Sequence, residues 1–281
     1  MGCLRILATL LALSIAGASA AETATLTDEQ NSVLENARAY ALAYSRQLPD
    51  FICTQITHRE VSKTDVGTLG AGATGRNPVG VTALSKGTSG SDVIEEQLTY
   101  VGGKESYEVM TIDGRKVAGM THMLLAGAIS AGEFGSFMTE IFDPKSRTTF
   151  AWEREANLHG RHVYVYGFHV PAEAGTALID KDTNKAILAP MAGRVFIEPK
   201  TFDVLQIISD LKVPLDFPIH LVERKVEYAP QQIAGKSYSL PSHSEMRMED
   251  STQVYSNEIE FKKYHRFTSE STIHVGDVAP Q

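Results

Sequence analysis

Histidine spacing, glycine patterns and a cysteine are the places where this chain could carry chemistry. His159, His162 and His169 are its closest histidines. On a strand, side chains alternate between faces, so His159 and His162 point opposite ways, as do His162 and His169. No Asp, Glu or Cys completes a set at metal-ligand spacing, and the three read as strand-surface residues with no metal. Gly70-Ala71-Gly72-Ala73-Thr74-Gly75 matches the dinucleotide-binding glycine pattern letter for letter. That chemistry needs a strand before the glycines and a helix after them, to aim a helix N-terminus at the pyrophosphate. Here the glycines lie in a Gly- and Ser-rich stretch followed by Pro78, which removes the site. Gly235-Lys236-Ser237 resembles the end of a phosphate loop, but Pro230 stands where the first glycine belongs. No Gly-x-Ser-x-Gly elbow occurs, and neither a Ser-His-Asp set nor a carboxylate pair can be singled out among 34 acidic residues. No cofactor and no catalytic residue is therefore expected.

The N-terminus has the plan of a secretory signal peptide: Arg5, an apolar run from Ile6 to Ala16, then Ala18-Ser19-Ala20 as a cleavage site. Residues 1–20 are read as that peptide, with cleavage near Ala20, giving a periplasmic or secreted protein of residues 21–281. The run falls short of the roughly 20 residues that cross a bilayer, and no second one follows, so no integral membrane segment is expected after cleavage. Cys3 precedes the apolar run instead of ending it, and Ile6 stands where a myristoylation signal needs Ser or Thr. The mature chain should be soluble. It keeps one cysteine, Cys53, which reads as a small buried hydrophobe, and no internal disulfide can form. The net charge of the whole chain is −8. Loss of Arg5 makes it more acidic, which argues against nucleic acid and anionic membrane surfaces as partners. Lys262, Lys263 and Arg266 form the tightest basic cluster and read as a solvated strand edge.

Asp28–Gln47 reads as a helix, with Thr27 and Gln30 as a capping box and Pro49 as the stop. Val33, Ala37, Tyr40, Ala41, Tyr44 and Leu48 share one face, opposite Glu29, Glu35, Asn36 and Arg38. From Phe51 onward short strands and turn signals dominate, near 51–61, 92–101, 105–112, 148–155, 161–170, 186–198, 202–209, 221–228, 233–240, 243–249, 252–264 and 269–275. Gly102-Gly103 and Glu198-Pro199-Lys200-Thr201 mark two hairpins. Residues 62–91 hold seven glycines and read as a mobile loop. Residues 121–142 read as one or two glycine-interrupted short helices, a lid over the sheet. The fold class is α+β, a curved, mainly antiparallel open half-barrel packed on the N-terminal helix, in a single domain.

Two stretches are apolar on both faces: Tyr164, Tyr166, Phe168 and Val170 opposite Val163 and Val165, and Val195 and Ile197 opposite Phe196. Such strands are covered on both sides, by helices or by an apolar ligand. The helix 28–47 and the segment 121–142 supply one cover; an acyl chain would be another. Phe150, Trp152, Tyr164, Tyr166, Phe168, Phe196 and Ile197 are the candidate ligand-binding interior, with Phe134, Phe137 and Met138 as candidate lid residues.

The run Gly193-x-Val195-x-Ile197-x-Pro199, Val204-Leu205-x-Ile207, Val226-x-Tyr228 and Gly235-x-x-Tyr238-x-Leu240-Pro241 resembles the C-terminal half of the periplasmic lipoprotein-carrier and lipoprotein-sorting families. That resemblance implies a curved antiparallel sheet that wraps a helix and shelters acyl chains. A fuller likeness, through Leu48-Pro49-x-Phe51-x-Cys53, Gly132-Glu133-Phe134-Gly135, Phe142-Asp143-Pro144, Phe261-x-x-Tyr264-x-x-Phe267 and Glu270-Ser271-x-Ile273, is to a family of uncharacterised exported bacterial proteins. The expectation is an exported protein that binds a lipid or lipoprotein acyl chain and is not an enzyme. Its alternatives are an envelope scaffold with a solid core and a protein partner, and a hydrolase whose groups the sequence does not single out.

Overall fold

A computed structural model describes residues 26–63, 89–122, 125, 127–129, 132–180 and 183–268. The stretch read as a signal peptide, most of the glycine-rich stretch and the strand expected at 269–275 lie outside the described residues.

Helix α1 spans Asp28–Gln47, and Thr27 and Gln30 close its capping box from both sides. It leads into strands β1 (Phe51–Lys63), β2 (Gly90–Val101), β3 (Lys104–Ile112) and the two-residue β4 (Arg115–Lys116). The short helix α2 (Ser136–Phe142) follows, then β5 (Thr149–Leu158), β6 (Arg161–Val170), β7 (Thr176–Asp180), β8 (Lys185–Ala189), β9 (Met191–Ile197), β10 (Val204–Leu211), β11 (Ile219–Ile233), β12 (Lys236–Asp250) and β13 (Gln253–Arg266). Eleven strands form one sheet in the order β4-β3-β2-β1-β13-β12-β11-β10-β9-β6-β5, and β7 and β8 pair separately. Every pairing in the large sheet is antiparallel, and β1 bonds to the last strand, β13. The two ends of the sheet, β4 and β5, do not meet, so the sheet is an open half-barrel.

Several boundaries depart from the sequence expectation. The stretch 186–198 is two strands in different sheets, β8 and β9, divided at Pro190, which lacks the N–H a continuous ladder needs. Strands expected at 233–240 and 243–249 are one, β12; its pairing with β11 absorbs the irregularity as a register shift between Glu227 and Tyr228. Among the described residues of 121–142, α2 is the one α-helix. Gly127, Gly132 and Gly135 have φ of 85°, 94° and 132°, a backbone a helix does not use. At one close approach glycine is required: a Cβ on Gly193 of β9 would lie 2.0 Å from the Ile208 carbonyl oxygen of β10.

Candidate functional site: the covered concave face

The sheet's concave face is covered in two halves. In the first, α1 lies across β6, β9, β10 and β11. Val33, Leu34, Ala37, Ala41 and Tyr44 pack on a floor of Tyr164, Tyr166, Phe168, Val170, Met191, Val195, Ile197, Ile207, Val226 and Tyr228. Tyrosine hydroxyls fix the helix at both ends. Tyr166 donates to the Gln30 carbonyl at 2.7 Å and Tyr164 to the Glu29 carboxylate at 2.8 Å, while Tyr44 donates to the Ser239 carbonyl at 2.8 Å. Glu29 and Arg38, read from sequence as a solvated face, are thus in use; Arg38 Nη1 donates to the Phe142 carbonyl at 3.0 Å.

Beside α1, the same floor is covered by α2, whose Phe137, Met138, Ile141 and Phe142 are buried in it. Phe142 stacks on Phe150 at 5.4 Å, and Trp152 meets Tyr164 and Tyr166 edge-on at 4.9 and 5.5 Å. Arg224 lies 3.5 Å over the Phe137 ring. The helix has seven residues, no side-chain N-cap and Gly135 at its entry. A surface hollow of about 530 Å³ runs along it, bordered by Ser45, Glu105, Gly135, Thr139 and Glu140.

The structure therefore brings Phe150, Trp152, Tyr164, Tyr166, Phe168 and Ile197 together with Phe137 and Met138. Phe196 is elsewhere. One residue from Ile197 on a strand of period two, it faces the outer side with Val163, Val165 and Leu205, which removes it from the concave set. Phe134 belongs to the second half.

That half, over β1, β2, β3 and β13, is covered by the described residues between Val117 and Gly135. Phe134 sits among Phe51, Tyr100, Phe261 and Tyr264, with ring centroids 5.3 Å from Phe51 and Phe261 and 6.3 Å from Tyr100 and Tyr264. Burial pushes the Cys53 thiol beside them up to about 12, an inert state. Glu105 accepts from the backbone N–H groups of Gly132 and Phe134 at 3.0 and 3.2 Å and from the Tyr107 hydroxyl at 2.5 Å. Burial holds its carboxyl above the ordinary range, the hydrogen bonds opposing.

Next to this aromatic cluster the concave face turns polar. Arg59 meets Asp92 through two contacts of 2.8 and 2.6 Å, both side chains buried. Gln55 donates to Glu96 at 3.0 Å, and His122 Nδ1 lies 2.9 and 3.1 Å from the two Glu96 oxygens. Tyr107 stacks on the His122 ring at 4.7 Å. Glu96 is 1% exposed and His122 7%. Asn257 donates to the Ala128 carbonyl at 2.9 Å and Tyr228 to that of Glu133 at 3.2 Å. A cavity of about 10 Å³, room for one water, lies among Gln55, Thr57, Glu96, His122 and Asn257.

Sequence reasoning missed this polar row. Its signal lies in β1, where buried Gln55, Thr57 and Arg59 occupy the face continued by Phe51, Cys53 and Val61. Among the described residues no group of three or more His, Cys, Asp or Glu is placed to hold a metal ion. A hollow of about 850 Å³ is lined by His58, Glu60, Glu223, Lys225, Glu245, Arg247 and other residues. Its charges pair across strands, as Lys225 does with Glu245 at 3.0 Å, and it reads as a solvated face.

No family model matches the chain, and no curated protein does. Solved structures do match it. A LolA superfamily protein from Nitrosomonas europaea superposes with a TM-score of 0.38 at 11% identity, over 85% of this chain and 93% of that one. A domain described as an outer membrane lipoprotein-sorting protein, from Vibrio parahaemolyticus, gives 0.35 at 12%, over 85% and 94%. A DUF1329 family protein from Desulfovibrio piger gives 0.35 at 10%, over 86% and 95%. At superposition this loose the likeness carries no argument about what the protein does. No described helix is long and apolar enough to cross a membrane.

Proposed function

We propose that this is an exported, periplasmic or secreted, binding protein that takes an apolar chain, such as an acyl chain of a lipid or lipoprotein, on the concave face of its half-barrel. The carrying observation is the inequality of cover over one apolar floor. Helix α1 is long, capped and fixed at both ends, whereas α2 is seven residues long, uncapped and entered through Gly135. A helix of that length has no stability of its own. Phe137, Met138, Ile141 and Phe142 keep the floor dry, and an acyl chain can take their place. Each methylene so buried contributes about 0.8 kcal/mol, so a long chain competes well with four side chains.

The interior residues in this reading are Phe150, Trp152, Tyr164, Tyr166, Phe168 and Ile197, with Phe137 and Met138 as the movable cover and Phe134 as its pivot. Uptake of a fluorescent fatty acid tests it: saturable binding should appear, and Ile141→Ala should tighten it several-fold by weakening the competitor. No uptake by either protein contradicts the reading.

A second reading, an envelope interaction module, is favoured by the β7–β8 hairpin. Ala177 and Ile179, with Ala186 and Leu188 across from them, form one exposed face that is wholly apolar. Isolation of the protein from its host with a bound polypeptide, lost on Ile179→Asp, would support this module in place of the carrier.

A further inference from the structure

The cover presents two different surfaces to the sheet, and the second has the composition of a receptor for a cation. Where α2 lies, its buried side chains meet an apolar cluster of the sheet. Where His122 lies, the imidazole is held by a carboxylate, Glu96, which also accepts from the Gln55 amide, and by the face of the Tyr107 ring. A carboxylate with an adjoining aromatic face is the pair that binds organic ammonium groups, one supplying opposite charge and the other its quadrupole. Burying Glu96 to 1% exposure carries a large desolvation cost unless something donates to it. Arg59 is engaged by Asp92 through two short contacts, and the His122 ring nitrogen lies against both oxygens of Glu96.

The two surfaces are continuous. Tyr107, which stacks on His122, packs against the cluster containing Phe134, and its hydroxyl bonds to the same Glu105 that holds the Phe134 backbone. Three residues beyond Phe134 is Phe137, seated in the apolar floor. A cation-capable ring at one end and apolar side chains at the other therefore lie along one strip of the concave face.

We propose that the seat occupied by His122 is the head-group site for a cationic amphiphile, an alkyl amine or quaternary ammonium, whose tail takes the α2 floor. The inference rests on the carrier reading and names the ligand class for it. Glu96 receives the ammonium, Gln55 keeps the carboxylate oriented, Tyr107 lies against the cation, and His122 is the internal competitor that leaves.

Three amphiphiles of equal chain length, dodecylamine, dodecanol and dodecanoate, are titrated below their micelle concentrations against the full mature chain. The amine should bind about tenfold more tightly than the alcohol, the difference a cation against an aromatic face and a carboxylate supports, and the carboxylate most weakly. Glu96→Gln should erase the preference for the amine and leave dodecanol unchanged, and His122→Ala should strengthen the amine alone. Tyr107→Leu, which leaves the Glu96–His122 contact, is a second variant should Glu96→Gln not fold, and it should weaken the amine alone. Dodecanoate binding as tightly as the amine, or all three ligands falling together in Glu96→Gln or Tyr107→Leu protein that melts normally, overturns the head-group site and leaves the carrier reading standing. Binding of none of the three, by wild type or His122→Ala, overturns both.

Discussion

The two halves of the concave face show two ways of covering one curved sheet. Over β6, β9, β10 and β11 the cover is a regular helix, whose backbone groups satisfy one another and whose apolar stripe meets an apolar floor. Hydroxyls at its two ends reach across, and Arg38 reaches the end of α2. Over β1, β2, β3 and β13 the cover is irregular, so its backbone groups need partners from the sheet. Glu105, Asn257 and Tyr228 supply them, and they place polar side chains at buried positions. A sheet can therefore be closed mainly by apolar burial or by burial with side-chain pins, and beneath the pinned cover lie the buried ionisable side chains of Arg59, Asp92, Glu96 and His122.

The comparison predicts how each half breaks. In the dry half, Tyr166→Ala removes a fully buried ring and its bond to Gln30, and should cost about 3–5 kcal/mol in denaturant unfolding at neutral pH. In the pinned half, Arg59→Met should cost about 3–5 kcal/mol by leaving Asp92 buried without its ion pair, whereas Arg59→Met with Asp92→Leu should recover most of that loss. A double variant no more stable than the single one would mean that the pair is not what the site requires. The smallest effect is in pH dependence. Glu105 has its folded pKa raised above 4.5 by burial. Its contribution to stability is thus full below the unfolded value and is lost as pH rises through the folded one. Glu105→Gln does not titrate, so the advantage of wild type over this variant in urea midpoint should shrink from about pH 4 to about pH 7. An advantage that grows with pH would show that the backbone donors outweigh burial.

Much of the dry half was legible in the sequence, because it follows local rules. Thr27, Gln30 and Pro49 set the limits of α1, the spacing of Val33, Ala37, Ala41 and Tyr44 sets its buried stripe, and Pro199 sets the hairpin between β9 and β10. The doubly apolar run of β6 is buried on both faces. The pinned half was not legible, since its logic is non-local. The pairing of β1 with β13 joins residues some two hundred positions apart, which no short-range pattern encodes. Gln55, Thr57 and Arg59 alternate with Ile52 and Ile56, so by composition the polar set belongs outside; its placement inside depends on Glu96, Asp92 and Asn257 from other strands. His122 is likewise unremarkable in sequence, 26 positions from its partner Glu96. The Phe196 placement was different, already fixed by the strand period that puts Ile197 on the concave side.

The chain's single tryptophan reports on the central claim directly. Trp152 borders the floor that α2 covers, in edge contact with Tyr164 and Tyr166. Titration with an amphiphile brominated along its alkyl chain should quench Trp152 emission saturably at one ligand per protein, and an unbrominated analogue should compete the quenching away. Binding with no quenching of Trp152, or no saturable binding at all, would contradict an acyl chain on the concave face.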